Sequence, residues 1–151
     1  MSNSNSLHSL WEGKWAYRSY NNLILEKEHV DPKTCESNLP FGSGTIIIQP
    51  GLAPNELSGS IGDPKREEWQ LKLTGSINYG DPFTARFQGK GEVGGHEWIY
   101  EYVGYMVNPW QNGVNQVPAF VGSVIRQIPH PGGDGTIHPA GVVASFYCVK
   151  Y

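Results

Sequence analysis

The chain is poor in cysteine, with Cys35 and Cys148 alone in 151 residues, so it is not a disulfide-stapled scaffold. A bridge between the two would need their Cα atoms within about 7 Å, and a pair of free thiols is the plainer expectation. Neither cysteine sits in a Cys-x-x-Cys pair, and the five histidines (His8, His29, His96, His130 and His138) never fall two or four apart. No locally encoded metal site is therefore expected, and no residue pattern calls for a cofactor.

Charge is also scarce. Charged residues make up 17% of the chain and the formal net charge is -3, with Lys and Arg spread along the sequence instead of gathered in a stripe. Nothing here would neutralise a phosphate backbone, which excludes nucleic acid as the expected partner. No run approaches the roughly 18 apolar residues that a membrane span requires. The N-terminus, Met1 to Ser6, is polar with no apolar stretch behind it, so the expectation is a soluble, cytoplasmic protein.

What the chain has in quantity is glycine (19 residues), proline (11 residues) and aromatics (12%). Many short strands joined by turns suit that mixture, and helical bundles do not. A length of 151 residues fits one domain. Period-2 alternation between turn signals predicts eight strands: 11–20, 44–49, 56–62, 68–78, 82–92, 97–107, 117–128 and 142–151. The connectors carry turn chemistry, as in Tyr79-Gly80-Asp81-Pro82, Gly94-Gly95 and the stretch from Pro129 to Gly135. The fold expected is all-β, an antiparallel up-and-down barrel of about eight strands over 11–151, preceded by a flexible tail at 1–10. Two connections are longer. Residues 21–43 are undecided between a strand extension, a helical turn and a lid, and 108–116 is a polar loop with Trp110 at its tip.

A glycine-centred element recurs: Leu57-Ser-Gly-Ser-Ile61, Leu73-Thr-Gly-Ser-Ile77, Phe87-Gln-Gly-Lys-Gly91 and Phe120-Val-Gly-Ser-Val124. Glycine within a strand sacrifices packing, so its repetition predicts sharp coiling or close approach by a neighbour, as in a small barrel; drift toward small residues in a flat sandwich is the other reading. Strand parity assigns an interior of Trp11, Trp15, Tyr17, Trp69, Phe83, Phe87, Trp98, Tyr100 and Tyr102. On the sixth strand Ile99, Val103 and Tyr105 fall on the opposite side with Glu101. Eight strands leave a lumen that side chains can fill or that can hold one small ligand, and both outcomes stay open.

Gly13-Lys14-Trp15 at the start of the first strand is the G-x-W signature that opens calycin barrels, and with the length and strand series the chain resembles that superfamily of lipocalins, fatty-acid-binding proteins and avidins. The glycine-centred strands are similar to those of avidins. The resemblance implies that Trp15 plugs one end of the barrel with a basic residue across it. Arginine is usual there; Lys150 and Arg126 are the candidates in this chain.

Three functions follow. Binding of a small, largely apolar or aromatic molecule would use Tyr17, Trp69, Phe87, Trp98, Tyr100, Tyr102 and Trp110, with Trp110 as a lid, a subunit contact or a rim residue. A barrel enzyme of cyclase, isomerase or decarboxylase type would use Tyr100 or Tyr102 as donor or acid and Glu101 or Glu97 as carboxylate, and needs a buried ionisable group with a shifted pKa. An assembly protein would have a filled lumen and would pair through Ile99, Val103 and Tyr105 into a homodimer. His130 and His138 bracket the glycine-rich turn and could meet across a hairpin, one ligand short of a metal site.

Overall fold

In a computed structural model of the chain, the residues described are 10–21, 40–63, 65–107, 116–132 and 135–151. The tail at 1–9, Cys35, most of the 21–43 connection and Trp110 with its loop lie outside them. Among these residues ten strands run in chain order: β1 (Gly13–Asn21), β2 (Pro40–Pro50), β3 (Glu56–Asp63), β4 (Arg66–Asn78), β5 (Asp81–Val93), β6 (His96–Val107), β7 (Ala119–Arg126), β8 (His130–Pro131), β9 (Ile137–His138) and β10 (Val143–Lys150). Eight of them close a barrel in the order β1-β10-β7-β6-β5-β4-β3-β2, every pair antiparallel; neighbours follow in chain order apart from the short β8–β9 ladder inserted before β10, and the first and last strands, β1 and β10, pair to close it. The eight predicted strands are these eight. Among the described residues no helix is long and apolar enough to cross a membrane.

Glycine is what lets so small a barrel coil. A Cβ at Gly59, Gly75 or Gly122 would lie 1.8, 1.9 or 1.7 Å from the carbonyl oxygen of Ile47, Arg86 or Val103 on the adjacent strand. No side chain fits at those distances. At the third repeat, Gly89, the neighbour is the Tyr102 ring, 3.1 Å away. The repeated element thus marks where one strand folds close over the next, and a flat sandwich is set aside.

Parity holds in β1, β4 and β6, whose inward residues are Trp15 and Tyr17, Leu71 and Leu73, and Tyr100 and Tyr102. It fails at one predicted core residue. Phe83 is 43% exposed, because the β4–β5 ladder steps from Ile77↔Ala85 to Asn78↔Asp81 and leaves Pro82, Phe83 and Thr84 without partners on β4. Within that bulge Asp81 accepts from the Phe83 N–H (3.2 Å) and the Thr84 hydroxyl (2.8 Å), which draws Thr84 inward and turns Phe83 out.

One end of the barrel is solid. Trp11 and Trp15 are fully buried; the Trp15 indole donates to the Trp11 carbonyl (3.0 Å), and the Trp11 indole donates to Pro82 in the β5 bulge (2.8 Å). Phe120 packs on both rings, at centroid distances of 4.8 and 5.1 Å. Of the two basic candidates, Lys150 crosses Trp15, its ammonium 5.5 Å from the ring centroid, while Arg126 sits among other rings. Gly13 is required here, since its φ of +132° disfavours other residues and a Cβ would come within 2.9 Å of the Lys150 stem. Above the plug Ile46, Ile48, Leu73, Phe87, Tyr102, Phe120 and Phe146 leave a void of only about 10 Å³, room for one water at most. Cys148 is buried and free.

On the outer surface Ile99, Val103 and Tyr105 share a side with Glu101. Tyr105, Val121 and Tyr147 stand in register across β6, β7 and β10, with both tyrosines exposed.

Candidate functional site

The other half of the barrel is open. A cavity of about 360 Å³ lies at the mouth away from the plug, walled by Tyr17 and Ser19 of β1, Phe41 to Ser43 of β2, Ile61 and Asp63 of β3, Trp69 and Leu71 of β4, Trp98, Tyr100 and Tyr102 of β6, Arg126 of β7, and His130, Gly132 and His138 of the segment beyond it. Alternation along each strand supplies these walls, because residues two apart return to the same face. The lumen is therefore neither wholly filled nor wholly empty. It is packed at the plug and hollow at the mouth.

A chain of polar contacts crosses the wall. His130 Nδ1 lies 3.1 Å from the Pro131 carbonyl, which can only accept, so Nδ1 carries the proton and Nε2 is the acceptor. Tyr100 Oη, 2.5 Å from Nε2, donates to it and in turn accepts from Arg126 Nε–H at 3.2 Å. Arg126 also donates from Nη1 to the Pro139 carbonyl (3.1 Å), and its guanidinium lies over the Phe41 ring at 5.0 Å. The Trp98 ring stacks on His130, centroids 3.9 Å apart and planes 15° apart, and Trp69 meets Trp98 edge-on. His130 and His138 do meet, as direct partners in the β8–β9 ladder.

Burial sets the protonation states. Desolvation holds His130 below its usual range; the bond to Pro131 opposes that, and the nearby charge of Arg126 adds to it. Desolvation likewise raises the Tyr100 phenol, with Arg126 pulling the other way, and it raises Tyr17 and Tyr102. Near neutral pH the His130 imidazole is thus neutral and the three phenols are protonated, in a wall that also holds Asp63, Arg126 and His138. Trp98 Nε1 is buried and has no hydrogen-bond partner among the described residues. A buried donor without an acceptor is a cost that a native structure seldom leaves unmet.

The structure brings together Tyr17, Trp69, Trp98, Tyr100 and Tyr102 of the residues expected to bind a ligand. Phe87 lies deeper, against the packed base, and Trp110 is outside the described residues. Glu101 does not reach the cavity: it is exposed on the outer face, because the pleat that points Tyr100 and Tyr102 inward points the residue between them out. Glu97 is exposed beside Lys90, with 3.9 Å between their charged atoms. Arg126 and His130 were not expected in the site. Arg126 was legible, since it keeps the parity of Phe120 and Val124 on β7, whereas His130 depends on how the chain folds back after that strand. Among the described residues no three His, Cys, Asp or Glu side chains gather to hold a metal. Comparison with protein-family models, curated proteins and solved structures finds no match.

Proposed function

We propose that the chain is a calycin-type barrel that binds a small, largely apolar or aromatic molecule in its open half. The carrying observation is the aromatic cavity of about 360 Å³ above a packed base. Ligand pockets span roughly 300–1,000 Å³ and combine apolar walls with a few fixed polar groups, and this one is at the small end with Asp63, Arg126, His130 and His138 among its polar groups.

The test is quenching of intrinsic tryptophan fluorescence by uncharged aromatics such as 2-naphthamide, in the natural protein and in Gly42→Leu. Gly42 lies on the rim of the cavity opposite the inward-facing Ser19, and a Cβ there would meet only the Ser19 hydroxyl, at 3.4 Å, so a leucine obstructs the mouth without adding a fluorophore. Saturable quenching that weakens by about tenfold or more in the variant is expected. Absence of saturable quenching, or equal affinity in both proteins, would overturn the reading.

One observation favours an enzyme instead: the Tyr100–His130 bond places an ionisable pair in the pocket. The shifts run against its use, because burial raises the phenol and lowers the imidazole, which keeps the proton on Tyr100. The Tyr100 hydroxyl already donates to His130, so in this arrangement it fixes Arg126 and His130 in place. Recovery of a bound aromatic chemically unchanged after prolonged incubation separates binding from turnover.

A further inference from the structure

We propose that the molecule held in the open half is a small aromatic carboxylate, with its ring against Trp69 and Trp98 and its carboxylate on the guanidinium of Arg126. This deepens the binding reading and rests on it.

Arg126 is the starting point. Its residue is only 7% exposed, yet the one ion pair among the described residues is Lys90–Glu97 on the surface. A buried guanidinium is costly unless it is paired and hydrogen-bonded. Its partners here are neutral: the Tyr100 hydroxyl, the Pro139 carbonyl, and the faces of Phe41 and Tyr100. Those two hydrogen bonds account for Nε–H and one Nη1–H of the five N–H groups. Both Nη2 N–H groups and the second one on Nη1 have no partner among the described residues and are donors for a carboxylate.

The remaining charged and titratable groups of the cavity place the anchor at Arg126. Asp63 lines it too and would repel an anion, which leaves Arg126 as the anchor. His130 is neutral and its Nε2 already accepts the hydrogen bond from Tyr100, so it neither competes for the carboxylate nor supplies a second cation; His138 lies beside it. The packed base stops the cavity from continuing down the barrel as a long chain would need, whereas the indoles of Trp69 and Trp98 offer faces and edges to a ring.

The experiment is calorimetric titration of the natural protein with 2-naphthoate and with 2-naphthamide, which match in shape and differ in charge. The acid is expected to bind about tenfold or more tighter than the amide, a preference that shrinks as salt is raised. Arg126→Gln is expected to bring the acid down to the level of the amide. Equal affinities in the natural protein overturn the proposal, as does a preference that survives in a folded Arg126→Gln protein. The comparison in the natural protein decides the matter even if that variant does not fold. Failure of both probes to bind would instead overturn the binding reading beneath it.

Discussion

His130 couples stability to pH through a single atom. Its Nε2 accepts from Tyr100 only while unprotonated, and burial lowers its pKa from the ordinary 6.5. Between that lowered value and 6.5 the unfolded chain binds the proton and the folded chain does not. His130 therefore contributes stability that is complete above the unfolded value and is lost as pH falls through the folded one. Urea midpoints measured from about pH 7.5 down to about pH 5 should decline, and His130→Gln, which keeps an acceptor for Tyr100 but does not titrate, should show a shallower decline. A midpoint that rises on acidification, or an unchanged slope in the variant, contradicts this assignment. At the same scale Trp15 illustrates what a short motif can convey. Its place at the plug followed from Gly13-Lys14-Trp15, but only the pairing Trp15↔Lys150 decides which cation crosses it.

Among the elements, the strands are the most legible part of the chain, because alternation and turn residues are local signals. Each predicted strand survives within a few residues of its ends. The losses have local causes of another kind. Asp81 caps a bulge that hides Thr84 and exposes Phe83, which no alternation rule foresees. The β8–β9 ladder has two residues on each side, too few to show a period, and flanks a turn rich in glycine and proline. The glycine repeat carries its own test. Gly122→Ala would press a methyl group onto the Val103 carbonyl of β6, so the ladder must shift; the loss should be about 1–3 kcal/mol or more in urea unfolding. Gly80 in the β4–β5 turn meets nothing within 4 Å, and alanine there bears only the strain of its φ of +81°, roughly 1 kcal/mol. If Gly80→Ala proves as damaging as Gly122→Ala, close strand approach is not what the repeat provides.

For the whole molecule, a plugged end and an open end divide the work. Trp11, Trp15, Phe120 and Phe146 fix the closed barrel, and on that base the strands hold Trp69, Trp98, Tyr100 and Arg126 around a hollow mouth. The aromatic walls were readable because parity identifies an inward face. The polar part was less so: it arises where β7 ends, the chain turns back through His130, and residues 26 and 30 positions from Tyr100 reach its hydroxyl. Sequence distance of that kind is bridged only by the closed sheet. The five tryptophans provide a direct readout of the division, since each indole N–H gives its own signal in a proton–nitrogen spectrum. On titration with 2-naphthamide the Trp98 and Trp69 signals should move most, because their rings line the cavity and feel the ring current of the bound aromatic. Those of Trp11 and Trp15, already bonded to Pro82 and Trp11, should stay in place. Movement of the plug signals with Trp98 unmoved, or no movement at all, would contradict a binding cavity at the barrel mouth.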